Sequence, residues 1–252
     1  MKTRINMDEE SEELECAQHG KAHATYVCEH LIADSVQKWH SDYPDAENHW
    51  PDAWCAACNA HYLAESGEWN ERNEDLVPIK LMCHVCYEDA RSASLARMAG
   101  PSFDAWEHFL DSCFEELKNK TDQLNQEFSL GSHQRYDWDQ EKAELVFSNE
   151  GVPAVIAKID FIGSHSSRSD TWLWAWANFH LLENIRTRIT AVRDFGELHD
   201  YPSLTTPKWE AEEGDAWDMA AVAAHVLNAR GVYRSPREGG AAFLLIREIC
   251  KA

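Results

Sequence analysis

Helical spacing of apolar positions is clearest between residues 102 and 130. Phe103, Trp106, Leu110, Cys113, Leu117, Leu124 and Phe128 recur at intervals of three, four or seven up to Gly131, which predicts a long amphipathic helix. Gly100-Pro101-Ser102 marks the break before it, with Ser102 as the expected N-cap. After Gly131 the period shortens. Ala143–Ser148, Pro153–Gly163 and Asp170–Ala177 carry the β-branched and aromatic content of a meander, with turns at Asn149-Glu150-Gly151 and Gly163–Ser169. Helical spacing returns at Leu182, Ile185, Ile189 and Val192 and stops near Gly196. An alanine-rich helix, apolar nearly all round and hence buried, is expected over Trp217–Ala229. Gly231–Arg234 and Ala241–Ile249 read as a closing hairpin. The order predicts an α+β domain over residues 131–252, an antiparallel sheet with helices packed on one face.

The first hundred residues show no such period. They are organised instead by short pairs of metal-binding side chains, Cys16-x2-His19, Cys28-x-His30, Cys55-x2-Cys58 and Cys83-x2-Cys86. A C-x2-C turn is tight enough for both thiolates to face one ion, and tetrahedral zinc needs a second pair from elsewhere in the chain. Cys55-x2-Cys58 with Cys83-x2-Cys86 has the spacing of a four-cysteine zinc ribbon or treble clef, and the segment from Tyr87 onward has the helical composition that follows a last knuckle. Cys16, His19, Cys28 and His30 are then expected as a second, mixed site, with Cys28 and His30 sharing one face of a strand. The assignment is open at several points. His23 can replace His19, His61 and His84 lie nearby, and a cross-braced arrangement joining the first pair to the third and the second to the fourth satisfies the same spacing. One or two structural zinc ions are expected, the all-cysteine site carrying a formal charge of about −2 and the mixed site none. Trp39, Trp50, Trp54 and Trp69 are expected as the core of this small module, residues 15–98, and the helix over 102–130 as its connection to the larger domain. Cys113 and Cys250 are read as core filler.

In Thr171–Asn178, strand alternation would place Trp172, Trp174, Trp176 and Asn178 on one face, either a second core layer or an exposed binding surface. The W-x-W-A-W-A-N segment at 172–178, with Val192–Glu197 and Met219–Ala224, resembles an uncharacterised bacterial domain family of unknown function. The resemblance covers roughly 131–252 and implies fold and bacterial origin, but no activity. Cys16–His30 and Pro51–Cys86 resemble the zinc-knuckle modules of other uncharacterised bacterial proteins.

Composition narrows the function. Lys and Arg number 23 against 44 Asp and Glu, a net charge of −21. Residues 1–100 contribute 19 acids and 8 bases, net −11, so the acidity is spread along the chain apart from a cluster at Asp8–Glu15. This field repels nucleic acid and anionic lipid and attracts basic partners. Apolar runs fall far short of the roughly 20 residues of a membrane helix. Met1–Met7 runs straight into acids with no apolar stretch resembling a secretory signal, which with the paired cysteines points to the cytoplasm. No G-x-S-x-G, Walker A, G-x-G-x-x-G or H-E-x-x-H occurs. The expectation is a zinc-stabilised, non-enzymatic interaction protein, of the immunity or antitoxin kind, that binds a basic protein. The alternative is an enzyme with a site among His165, His180, His199 and His225.

Overall fold

The computed structural model describes residues 13–33, 38–42, 44–95, 101–178 and 183–252, of which the side chains at 101–103 and 184 are not described. Of the acidic cluster, residues 8–12 lie outside this set, as do Gly100, His180 and Leu182. The chain divides into two compact units, Met1–Met98 and Ala99–Ala252.

The first unit runs β1 (Glu13–Cys16), β2 (Gly20–Cys28), α1 (Glu29–Ala33), β3 (Trp39–Ser41), β4 (Ala53–Cys55), α2 (Ala56–Ala64), β5 (Ile79–Cys83) and α3 (His84–Leu95). Its strands form a five-stranded sheet in which β2 is central. Antiparallel β1 and β5 pair with β2, and β4 runs parallel to it at Val27↔Ala53. Apolar residues are few, and the core is correspondingly aromatic. Trp54 and Tyr87 are buried, and Trp39, Trp50, Tyr62 and Trp69 pack around them. Trp54 meets Trp69 edge-on at 5.3 Å between centroids, a favoured aromatic geometry. The four tryptophans are therefore core packing.

The second unit contains α4 (Pro101–Phe128), β6 (Arg135–Asp139), β7 (Glu144–Asn149), β8 (Val152–Ser166), β9 (Thr171–Trp174), α5 (Glu183–His199), α6 (Pro202–Thr205), β10 (Lys208–Glu210), α7 (Glu213–Val226), β11 (Gly231–Arg237) and β12 (Gly240–Lys251). It is a mixed α+β unit built on a seven-stranded antiparallel sheet. β8 is the organising strand. β12 follows one side of it, while β7 and β9 take the two halves of the other. Two register shifts in the β8–β12 ladder, at Phe243/Leu244 and Ile246/Glu248, bend the sheet as bulges do. α4 opens with Pro101, whose missing N–H costs nothing at a first helical position, so Ser102 lies inside the helix and not at its cap. Cys113, Leu117, Leu124 and Phe128 form the buried stripe of α4 that its spacing predicts. α7 starts four residues earlier than its apolar run, because Glu212 and Asp215 form a reciprocal capping box. Met219–Ala224 are all at most 2% exposed, as a helix apolar all round requires.

Two expectations need correction here. Strand alternation in the tryptophan-rich segment stops at Trp174, and Ala175–Ala177 form a 3-10 turn. Trp172, Trp174 and Trp176 are 0%, 0% and 3% exposed, so they are core and offer no binding surface; Asn178 is half-buried beside them. Cys250 is exposed near the end of β12 and fills no core. Within β8 Asp160 is 2% exposed and ion-paired to Arg188 of α5 and, at 3.1 Å, to Arg247. Arg247 is the extra residue of the second register shift, which supplies the compensating charge a buried carboxylate needs.

Candidate metal centres

Each knuckle sits where a strand ends. Cys16 ends β1, and the turn to β2 carries His19 ahead of Gly20, whose φ of +68° closes the turn. Cys28 ends β2 and His30 follows in α1. The shared strand face expected for Cys28 and His30 is therefore absent; a strand-to-helix turn brings them together instead. Cys55 and Cys83 end β4 and β5, and their partners Cys58 and Cys86 lie in the first turns of α2 and α3. Free N–H groups at a strand-to-helix turn face the sulfurs: Cys86 N–H donates to Cys83 Sγ at 3.4 Å.

Strand direction decides which knuckles meet. β5 is antiparallel to β2 and ends opposite Ala24, beside the β1–β2 turn. β4 is parallel to β2 and ends at the same end as Cys28. Cys16, His19, Cys83 and Cys86 therefore form one cluster, and Cys28, His30, Cys55 and Cys58 the other, each with its donor atoms within 4.8 Å of one another. The pairing is nested, first with fourth and second with third. The all-cysteine site and the separate mixed site are overturned, and so is the cross-braced alternative. The ladder from Ala24↔Cys83 to Cys28↔Ile79 separates the clusters by four residues, about 13 Å of strand.

The donor spacing fits one tetrahedral ion per cluster. Zinc–sulfur and zinc–nitrogen bonds of about 2.3 and 2.0–2.1 Å at tetrahedral angles place ligand atoms about 3.6–3.8 Å apart. In the first cluster Cys16 Sγ lies 3.9 Å from Cys86 Sγ, and His19 Nδ1 lies 3.7, 3.3 and 3.5 Å from the sulfurs of Cys16, Cys83 and Cys86. In the second, His30 Nδ1 lies 3.3 Å from Cys58 Sγ and 3.7 Å from Cys55 Sγ. All six cysteines are free thiols. Both clusters could thus hold a metal ion such as zinc, and with zinc and three thiolates each would carry a formal charge of about −1.

Without a metal the thiols of a cluster oppose one another. Backbone N–H groups of Gln18 and His19 draw the Cys16 thiol down to about 6. Burial pushes Cys86 and Cys58 up to about 12 and also raises Cys28. Burial opposes ionisation of Cys55 too, but N–H groups of Cys58 and Ala57 outweigh it and its pKa is lowered. Adjacent thiolates repel, so one ionises more easily than its neighbours; a bound dication removes that conflict. The clusters differ in exposure. Cys28, Cys55 and Cys58 are buried, whereas Cys16 and Cys86 are half-buried and both histidines are exposed.

The alternative ligands lie outside both clusters. His84 Nδ1 accepts from the His23 backbone N–H at 3.2 Å, and both rings lie against Trp50. His61 is exposed on α2 and belongs to neither cluster. In the second unit His165 is buried with Nε2 2.9 Å from the Ala211 carbonyl oxygen. His225 pairs with Glu116, and His199 and His225 border opposite parts of an aromatic group containing Phe109 and Tyr201. His165 does not join them.

A family model described as a family of unknown function, DUF6882, matches residues 107–249. The chain belongs to this family. No curated protein and no solved structure matches the chain. The DUF6882 match starts inside α4, well before the residue 131 expected from the tryptophan-rich segment, and ends in β12. It contains the buried Trp172–Trp176 core and neither cysteine cluster. What DUF6882 membership describes is therefore the α+β unit, and the candidate metal centres lie outside it. No helix among the described residues is long and apolar enough to cross a membrane.

Proposed function

We propose that the chain is a zinc-stabilised, non-enzymatic interaction protein of the bacterial cytoplasm, of the immunity or antitoxin kind, binding a basic protein partner. The observation that carries this reading is the completeness of both donor sets. Four protein ligands per cluster leave no coordination position for water or substrate, the mark of a structural site. Three soft thiolates and an imidazole favour zinc over calcium or magnesium. The charge of −21 supports a basic partner, since such a field accelerates encounter with opposite charge.

Two measurements test it. Elemental analysis of the purified protein should give two zinc ions per chain; none, or a single ion, overturns the two-site reading. Affinity capture from the native cells should recover a basic protein at low salt and much less near 0.15 M, where charges more than about 8 Å apart are screened. Capture of no basic protein at either salt refutes the partner.

A further inference from the structure

Beside the second cluster the sheet opens into a cavity of about 340 Å³, the lower end of the range of ligand pockets. Its walls are the indoles of Trp54 and Trp69 with Val77 and Ile79, and Asp52 and Glu74 supply two carboxylates. Among the described residues no Lys or Arg lines it. An apolar sleeve with acids and no cation suits a long side chain that is aliphatic along its stem and positive at its tip, and an indole face adds attraction for a guanidinium.

The surroundings indicate what carries that side chain. Ile79 lies on β5, which among the described residues pairs with β2 alone, so its other edge is open to a further strand. Ile79 and Leu81 are 61% and 47% exposed, and Leu76 just before the strand is 55% exposed. Three large apolar side chains thus stand in solvent beside the cavity. The unit around them holds 19 acidic and 8 basic residues, net −11.

We infer that this groove is the docking site for an extended segment of a basic protein, in which arginines alternate with apolar residues. The segment lies along β5, its apolar residues covering Leu76, Ile79 and Leu81 and one arginine entering the cavity beside Ile79, against the indole wall and toward Glu74. Pairing at a strand edge supplies affinity through the main chain, while the pocket selects the side chain. The inference rests on the proposed interaction role and names where it is exercised. Cys28 also lines the cavity, so the second metal cluster holds one wall in place.

The test uses the zinc-loaded full chain, labelled with nitrogen-15, and three capped decapeptides alternating valine with arginine, glutamine or glutamate. The arginine peptide should shift the indole N–H signals of Trp54 and Trp69, and the other two should not. Glu74→Lys, at an exposed position, should leave the remaining spectrum intact and weaken binding about tenfold, as reversing one nearby charge implies. Equal binding of the glutamine peptide, or unchanged affinity in Glu74→Lys, overturns the arginine assignment. Shifts confined to residues of the second unit overturn the groove while leaving the interaction role standing. No binding of any peptide also overturns the groove, and the capture experiment then judges the role by itself.

Discussion

Trp172 and Trp174 provide a test of burial in which most terms cancel. Both are 0% exposed and meet edge-on at 5.1 Å. Trp174 Nε1–H donates to the Ser203 carbonyl oxygen at 2.8 Å, whereas Trp172 Nε1 is buried with no hydrogen-bond partner among the described residues. Replacing either by phenylalanine removes the same atoms and leaves a similar void, so the packing losses are comparable. Hydrogen bonding separates them. Trp174→Phe forfeits a bond to the carbonyl of half-buried Ser203, a loss of about 1 kcal/mol. Trp172→Phe forfeits no bond and removes a donor that is costly to bury unpaired. Trp174→Phe should therefore be the less stable variant by about 2 kcal/mol, roughly 4–8 °C in Tm for a unit of this size. Thermal melts of the zinc-loaded variants followed by near-ultraviolet circular dichroism, which reports tertiary packing of aromatic rings in both units, give the ordering from the transition that the substitutions move. The alanine variants should both lose about 3–5 kcal/mol. Equal midpoints for the phenylalanine pair, the reverse order, or an alanine variant as stable as the parent would refute the argument.

Three further outcomes follow from the geometry. Chelation should expose the first unit to proteolysis and spare the second, because structural zinc contributes on the order of 10 kcal/mol to modules that lack a large core; equal loss of both would show that they do not fold separately. Nested pairing requires that Cys16→Ser with Cys86→Ser remove one zinc per chain while Cys16→Ser with Cys55→Ser remove both, read by native mass spectrometry. Burial, with help from Asp215 and Asp111, raises Asp218 from 3.8 to about 6. The folded state then holds this proton more tightly than the unfolded chain, so the group's cost is absent below pH 3.8, grows as pH rises through 6 and is complete above it. Asp218→Asn should accordingly raise Tm at pH 7.5 and leave it unchanged at pH 3.5; no gain at pH 7.5 would contradict the placement.

Local chemistry alone determined a good part of this protein. The spacing of Leu117, Leu124 and Phe128 marks α4, because a period near 3.6 is readable from neighbours along the chain. The cysteine and histidine pairs announce metal chemistry for a similar reason: two ligands three residues apart are brought together by a single turn. The run from Met219 to Ala224 likewise declares its own burial. Tertiary structure decided what depends on distant partners. The knuckles pair as they do because β5 runs antiparallel to β2 and β4 runs parallel, and strand direction is not written in the C-x2-C spacing. The four-cysteine site was the natural expectation only because its pairs match in type. The tryptophan strand became core because β10, three residues with no periodic signal, pairs with it, and because α6 supplies the Ser203 carbonyl from 29 positions away. Asp160 could sit inside a hydrophobic strand only after a bulge in β12 and the turn of α5 delivered Arg247 and Arg188. A sequence displays interactions between near neighbours, which the backbone period repeats; it conceals those whose partners are chosen by strand order and direction.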